Sequence, residues 1–177
     1  RVGDGSDYWG IRKMHIRNET IRRIFQQVEN HCIAEIYKAT NRVYHTEMAT
    51  VTEWPIGGVQ NPHLDTYSNQ EMAIDPEYEG KIQRGERGPS REWTCILYLN
   101  DNFQDGQTYV PDGECYDPIE GAGLLFQGIY IVHGVHRVRR HPRHTISFWF
   151  SDNIDRCMPL ESIPDLNVGE ELLRQHG

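Results

Sequence analysis

No run of apolar residues in this chain is long enough to cross a membrane, and there is no internal repeat or low-complexity linker. Cysteine is sparse: Cys32, Cys95, Cys115 and Cys157 are widely separated and form none of the close pairs that mark zinc knuckles or redox motifs. They read as structural or free. Positive charge is also scarce, since 18 Lys+Arg against 26 Asp+Glu leave a formal net charge of −8. That balance excludes a general nucleic-acid binder, which needs a basic surface to meet phosphate. One basic island interrupts it, "HRVRRHPRH" from His136 to His144. It is either a solvated edge or an anion site, and composition favours the edge.

What is present is an ordinary globular balance, 37% hydrophobic and 25% charged, in a length of 177 residues that suits a single domain with its own core. The chain opens at Arg1 with neither methionine nor signal sequence, as a processed protein or an excised domain would. Asn18-Glu19-Thr20 fits the glycosylation acceptor pattern. Secretory-pathway (ER) and cytoplasmic locations both stay open, as does the oligomeric state.

Between Glu19 and Ala39, Ile21, Ile24, Phe25, Val28, Cys32, Ile33, Ile36 and Tyr37 recur at helical spacing, with Asn18 placed to cap the first turn. The spacing predicts a helix over about 18–39. After Val43 the texture changes to short β-rich runs, "YHTEMATVTEW", "EWTCILYLN", "QTYV", "GLLFQG", "IYIVHGV" and "HTISFWFS", mostly separated by Gly, Asp, Asn or Pro. One amphipathic helix followed by many short strands predicts a mostly β fold with flanking helices: a jelly-roll, cupin-like core over about 43–152, a double-stranded β-helix with the N-terminal helix packed on it. The long connection Thr66 to Arg91 reads as a lid or a surface loop. The tail from Pro159 is acidic, and its "GEELLRQ" could form a helical turn.

A jelly roll often carries a mononuclear metal, which directs attention to "NPHLDTYSNQ". If this segment is extended, His63 and Asp65 point to the same face and can converge on one ion. A third ligand is available downstream, where Tyr130 to Phe150 offers His133, His136, His141 and His144. Two histidines and one carboxylate on one face of iron(II) leave positions open for an organic chelator and oxygen. Arg143 opens the last β-rich run, where its guanidinium could pair bidentately with a carboxylate near the metal.

These residues together resemble a family, the iron(II)- and 2-oxoglutarate-dependent dioxygenases of the prolyl hydroxylase type. "EWPIGGVQNPHLD", "REWTCILYLNDNFQDGQTYV" and "GAGLLFQGIYIVHGVHRVRRHPRHTISFWF" carry the resemblance over roughly Glu47 to Asp152. The closest likeness is to the catalytic domains of prolyl 3-hydroxylases (leprecans), including the sizeable insertion after H-x-D. The resemblance implies Fe(II) held by His63, Asp65 and His133, with His133 favoured over His136 by the family spacing. It implies 2-oxoglutarate whose distal carboxylate is bound by Arg143 and Tyr98, with Thr108 lining that pocket. O2 would be the oxidant, with ascorbate as a supporting reductant. The implied reaction is hydroxylation of an unactivated C–H bond, with succinate and CO2 as coproducts. Because halogenating relatives lack the carboxylate that Asp65 supplies, hydroxylation is the expected outcome.

Three positions depart from the family pattern. Trp54 stands where several relatives have tyrosine, Asp105 replaces one of a usual glycine pair before Gly106, and His141-Pro142 precede Arg143 where a glycine is usual. Trp54 is therefore a candidate substrate contact, and His136, as the neighbour of the favoured distal ligand His133, is a second. The expected substrate is a peptidyl residue, proline first. The alternatives are a free amino acid or other small molecule, or a catalytically inactive jelly roll that binds metal or ligand. The intact set His63, Asp65, His133 and Arg143 argues against the last.

Overall fold

The computed structural model describes residues 9–13, 16–65, 91–111 and 113–157. The long connection and the acidic tail fall outside these residues, apart from Arg91. In chain order the elements are β1 (Trp9–Arg12), α1 (Glu19–Thr40), β2 (His45–Trp54), β3 (Gln60–His63), β4 (Trp93–Tyr98), β5 (Gln104–Asp105), β6 (Thr108–Tyr109), β7 (Cys115–Tyr116), β8 (Gly123–Phe126), β9 (His133–Val135), β10 (Val138–Arg139) and β11 (Arg143–Ser151). A major sheet has the order β1-β2-β11-β4-β8, a minor sheet the order β3-β9-β6-β7, and β10 pairs with β5. All described pairings are antiparallel. The chain passes repeatedly from one sheet to the other, which is the expected jelly-roll core with a helix on one side.

The helix forms where its sequence pattern placed it. Asn18 Oδ1 accepts the Ile21 N–H at 3.1 Å, and Asn41 closes the other end in the left-handed region with its N–H on the Tyr37 carbonyl. Phe25, Cys32, Ile33 and Ile36 of α1 pack on Ala49, Cys95, Ile146, Phe148 and Phe150 from the outer face of the major sheet. The packed stripe is turned away from Ile21 and Ile24, which are 43% and 47% exposed. Its place is taken by Gln26, Glu29 and Asn30, all buried. The cause lies just after β1, where the buried Lys13 ammonium meets Glu29 at 2.7 Å. A helix period weighs apolar side chains and cannot register a buried ion pair.

Strand alternation then fixes what the inner face of the major sheet presents. With Ala49, Val51, Cys95, Leu97, Leu125, Ile146 and Phe148 facing α1, the opposite face carries Thr52 and Trp54 of β2, Thr94 and Tyr98 of β4, Phe126 of β8, and Arg143 and Thr145 of β11. Thr52, Thr94, Arg143 and Thr145 are each at most 4% exposed. A buried face this polar is built to hold something other than a second core. The apolar cluster on this side is small, formed by Trp54, Phe103, Val135 and Val138.

Asp105 and Gly106 both have positive φ, 59° and 68°. Aspartate tolerates that region better than most side chains, so the turn survives the loss of the first glycine. A side chain on Gly106 would press within 3.0 Å of the Phe103 ring.

The Lys13–Glu29 pair sets the first prediction. Lys13→Met leaves the Glu29 carboxylate buried alone and should lower stability by about 3–5 kcal/mol, whereas Lys13→Met with Glu29→Leu should recover most of the loss. Urea denaturation followed by circular dichroism measures both.

Candidate metal centre and anion pocket

β3 and β9 are adjacent in the minor sheet, and their register puts His63 directly opposite His133. Asp65 follows two residues after His63, and its backbone N–H is fixed to the Gly128 carbonyl at 3.1 Å. One ligand atom from each of His63, Asp65 and His133 falls within a group spanning no more than 4.8 Å, and all three side chains are buried. The Nε2 of His63 is 3.6 Å from Asp65 Oδ1, and the Nε2 of His133 is 3.7 Å from Asp65 Oδ2.

The same small device orients each imidazole. His63 Nδ1 lies 3.0 Å from the Asn61 carbonyl, and His133 Nδ1 lies 3.0 Å from that of Ile131, in both cases two residues back along the chain. A carbonyl can only accept, so Nδ1 carries the proton and Nε2 keeps its lone pair facing Asp65. Phe126 packs edge-on against the His133 ring at 4.6 Å and limits its rotation.

Charge in the cup is arranged to match. Burial alone would raise the Asp65 pKa, but the neighbouring His63 and His133, which attract the carboxylate whenever they are protonated, and the Thr94 hydroxyl outweigh it and bring it to about 2. Burial pulls the His133 pKa below the usual imidazole value, although Asp65 pushes it the other way. Both directions favour the cation-binding forms, an ionised carboxylate and an unprotonated imidazole.

Thr94 and Gly128 complete the hold on Asp65. The Thr94 hydroxyl donates to Asp65 Oδ2. A Cβ on residue 128 would collide with both the Thr94 hydroxyl and the Asp65 carboxylate, so the close approach requires glycine. Both fall inside the strings that carry the family resemblance, but nothing there marks them individually: one is a polar residue at the inward-facing phase of an otherwise apolar strand, the other a glycine two residues past the end of β8.

A second polar site lies on the inner face of the major sheet. Arg143, at the start of β11, is 1% exposed and is paired across the ladder with Trp54. Its guanidinium carbon sits 5.5 Å from the Trp54 ring centroid and 5.2 Å from that of Tyr98. Arg143 Nη2 donates to Thr108 Oγ1 at 3.3 Å, and Thr108 Oγ1 is 2.9 Å from the Tyr98 hydroxyl. Among the described residues Arg143 Nε has no hydrogen-bond partner, nor does the buried hydroxyl of Thr145 on the same strand. Among the described residues no carboxylate pairs with Arg143. A buried guanidinium flanked by aromatic faces and hydroxyls, with an open donor, is a site for an anion.

The other three candidate histidines stay out of the cup. His136 is exposed and stacks on Tyr109 at 4.2 Å. His141 is exposed, and His144 pairs with Glu53 at 2.9 Å. In the basic island Arg139 pairs with Asp105 at 3.2 Å, and Arg137 donates to the Gly57 carbonyl at 3.0 Å. Both are exposed, as expected of a solvated edge. Trp54 is buried against Arg143 and in the small apolar cluster.

Comparison with solved structures places this architecture among known ones. The viral collagen prolyl hydroxylase of Paramecium bursaria Chlorella virus-1, in its 2OG complex, superposes with a TM-score of 0.59 at 16% identity, covering 84% of this chain and 81% of that one. A prolyl-4-hydroxylase from Pseudomonas putida gives 0.56 at 18% identity, covering 83% and 72%. At these identities the likeness is one of fold. An oxidoreductase of the 2OG-Fe(II) oxygenase family from Burkholderia pseudomallei aligns at 19% identity with a TM-score of 0.49 over 64% of this chain, which spans about half (47%) of that protein. No curated protein matches the sequence. The sequence pattern of the 2OG-Fe(II) oxygenase superfamily matches residues 49–151, a span that runs from β2 through the cup to the end of β11. With the paired histidines, the carboxylate and the buried arginine all inside that span, the chain belongs to the 2OG-Fe(II) oxygenase superfamily.

Proposed function

We propose that this chain is an iron(II)- and 2-oxoglutarate-dependent hydroxylase of peptidyl residues, with proline the first candidate. One arrangement carries the reading. Two imidazoles with inward lone pairs meet a carboxylate on the minor sheet, and on the facing major sheet lies a buried arginine that has no carboxylate partner among the described residues.

The residues fit the groups that the superfamily implies. Two nitrogen donors and one carboxylate are the donor set of a mononuclear non-haem iron(II) site with open positions. The open Nε of Arg143 and its hydroxyl neighbours suit the distal carboxylate of 2-oxoglutarate, and that charge would offset the cost of burying the guanidinium. When bound, the two together supply the oxidative chemistry that turns O2 into a hydroxylating agent, with succinate and CO2 left over.

The protein's own part is positioning. His63, His133 and Asp65 would hold the ion, while Thr94 fixes the Asp65 carboxylate. Arg143, Tyr98 and Thr108 would fix the far end of the cosubstrate by charge-assisted hydrogen bonds. Trp54 flanks the guanidinium and would shape that end of the pocket. The carboxylate of Asp65 fills the position that a halide would need, which supports hydroxylation. The kinship with prolyl 3-hydroxylases rests on the shared motif strings and on the insertion after H-x-D. Ascorbate is the reductant expected to support turnover.

Three outcomes test this reading. Iron(II) and 2-oxoglutarate added without oxygen should give the visible metal-to-ligand charge-transfer band in wild type and in His136→Ala but not in His133→Ala; a folded wild type without the band would overturn the assignment. Thr94→Val should weaken Fe(II) or Mn(II) binding by about tenfold, the usual cost of losing a partner that orients a metal ligand, and Thr94→Ser should restore most of it. A panel of proline-containing peptides set against free amino acids, scored by the mass gain of one oxygen, should show the gain on a peptide. Gain confined to a free amino acid would reassign the chain to small-molecule tailoring.

A further inference from the structure

A second group of reactive side chains gathers on the outer face of the minor sheet, away from the metal cup. β6 pairs with both β9 and β7, which places Tyr109 opposite Gly134 on one side and opposite Cys115 on the other. Along β9 the His133 and Val135 side chains point inward, so Gly134 faces outward, and the Tyr109 ring covers it closely enough that a Cβ there would come within 2.8 Å. His136 lies just beyond. Its ring is stacked on Tyr109 with an interplanar angle of 14°, and its backbone N–H is tied to the Gln107 carbonyl at 3.0 Å. His136 Nε2 is 3.5 Å from Cys115 Sγ. The pair opens on a cleft of about 390 Å³ that Asp105, Gln107, Arg137 and Arg139 also line.

Cys115 differs from the other three thiols in its exposure and in the side chain it faces. Cys32 of α1 and Cys95 of β4 are buried between the helix and the major sheet. Cys157 is partly buried, with Sγ directed at the Asn153 carbonyl at 3.1 Å. Cys115 is exposed and faces a base held in place by an aromatic stack, the sequence of nucleophile, base and orienting group that activates a thiol. No other cysteine lines the cleft.

We propose that Cys115 and His136 form a thiol–disulfide exchange site that accepts low-molecular-weight disulfides. His136 Nε2 takes the Sγ proton as Sγ attacks one sulfur of the incoming disulfide. A bond forms between Cys115 Sγ and that sulfur, the incoming S–S bond breaks, and the leaving thiolate takes the proton from His136 and departs as a thiol. Cys115 Sγ passes from the thiol to the disulfide level while the leaving sulfur passes from the disulfide to the thiol level, so the exchange balances without any other oxidant or reductant. With no second thiol in the cleft to resolve it, the mixed disulfide is the end point. The site is independent of the iron and 2-oxoglutarate reading, because it lies on the other face of the sheet.

The test treats the full, folded chain with dithiodipyridine and follows the released pyridinethione. One of the four thiols should react in a fast phase, and peptide mass mapping should place the adduct on Cys115. Cys115→Ser should remove that phase. His136→Gln should slow it severalfold while leaving the circular dichroism spectrum unchanged, and in denaturant His136→Gln and wild type should react at equal rates. A fast phase that survives Cys115→Ser overturns the proposal. So does a folded His136→Gln that reacts as quickly as wild type, since Cys115 would then be an ordinary exposed thiol.

Discussion

Burying the Arg143 guanidinium is the constraint around which the interior is organised. A cation at 1% exposure must be met by aromatic faces, hydroxyls or an anion, and the structure supplies the first two from three strands. The inner face of the major sheet is polar beyond Arg143 as well, with Thr52, Thr94 and Thr145 at positions that an ordinary sandwich would fill with valine or isoleucine, Thr94 serving Asp65. The apolar burial that holds the domain together is displaced to the other face, where α1 packs. Stability and chemistry are thus carried by opposite sides of one sheet.

The metal cup follows a similar economy. β3 and β9 bring His63 and His133 face to face, and each histidine is oriented by a carbonyl of its own chain two residues earlier. Asp65 needs more help because it lies past the end of its strand. Thr94 comes from the major sheet and the Gly128 carbonyl from the segment after β8, so the carboxylate is the point at which the two sheets are joined through the site.

Much of this was legible in the sequence, and the gaps have physical causes. The helix was readable to within a residue because its cap and its apolar period agree. β2, β4 and β11 were readable because they are long and rich in β-branched and aromatic residues. The segment "IYIVHGV" has the texture of a strand, yet only His133–Val135 is one: the N–H groups of Tyr130 and Ile131 turn back to the Gln127 carbonyl, and tertiary pairing overrides local preference. β1 left no signal, being four residues long and defined by its pairing with β2. The residues alone left His133, His136, His141 and His144 open; the family resemblance favoured His133, and the register opposite His63 is what sets that ring beside Asp65. Thr94 and Gly128 were invisible because their importance lies in what they touch.

The ladder between β3 and β9 is short: its pairs are Gln60 with Val135 and His63 with His133, and the register slips between them. An ion shared by His63 and His133 would add a further rung to that ladder, and through Asp65 it would also tie in the chain leading away from β3. Loading the metal would then complete local folding as well as equip the site, so that metal occupancy would set how firmly β3 stays paired with β9.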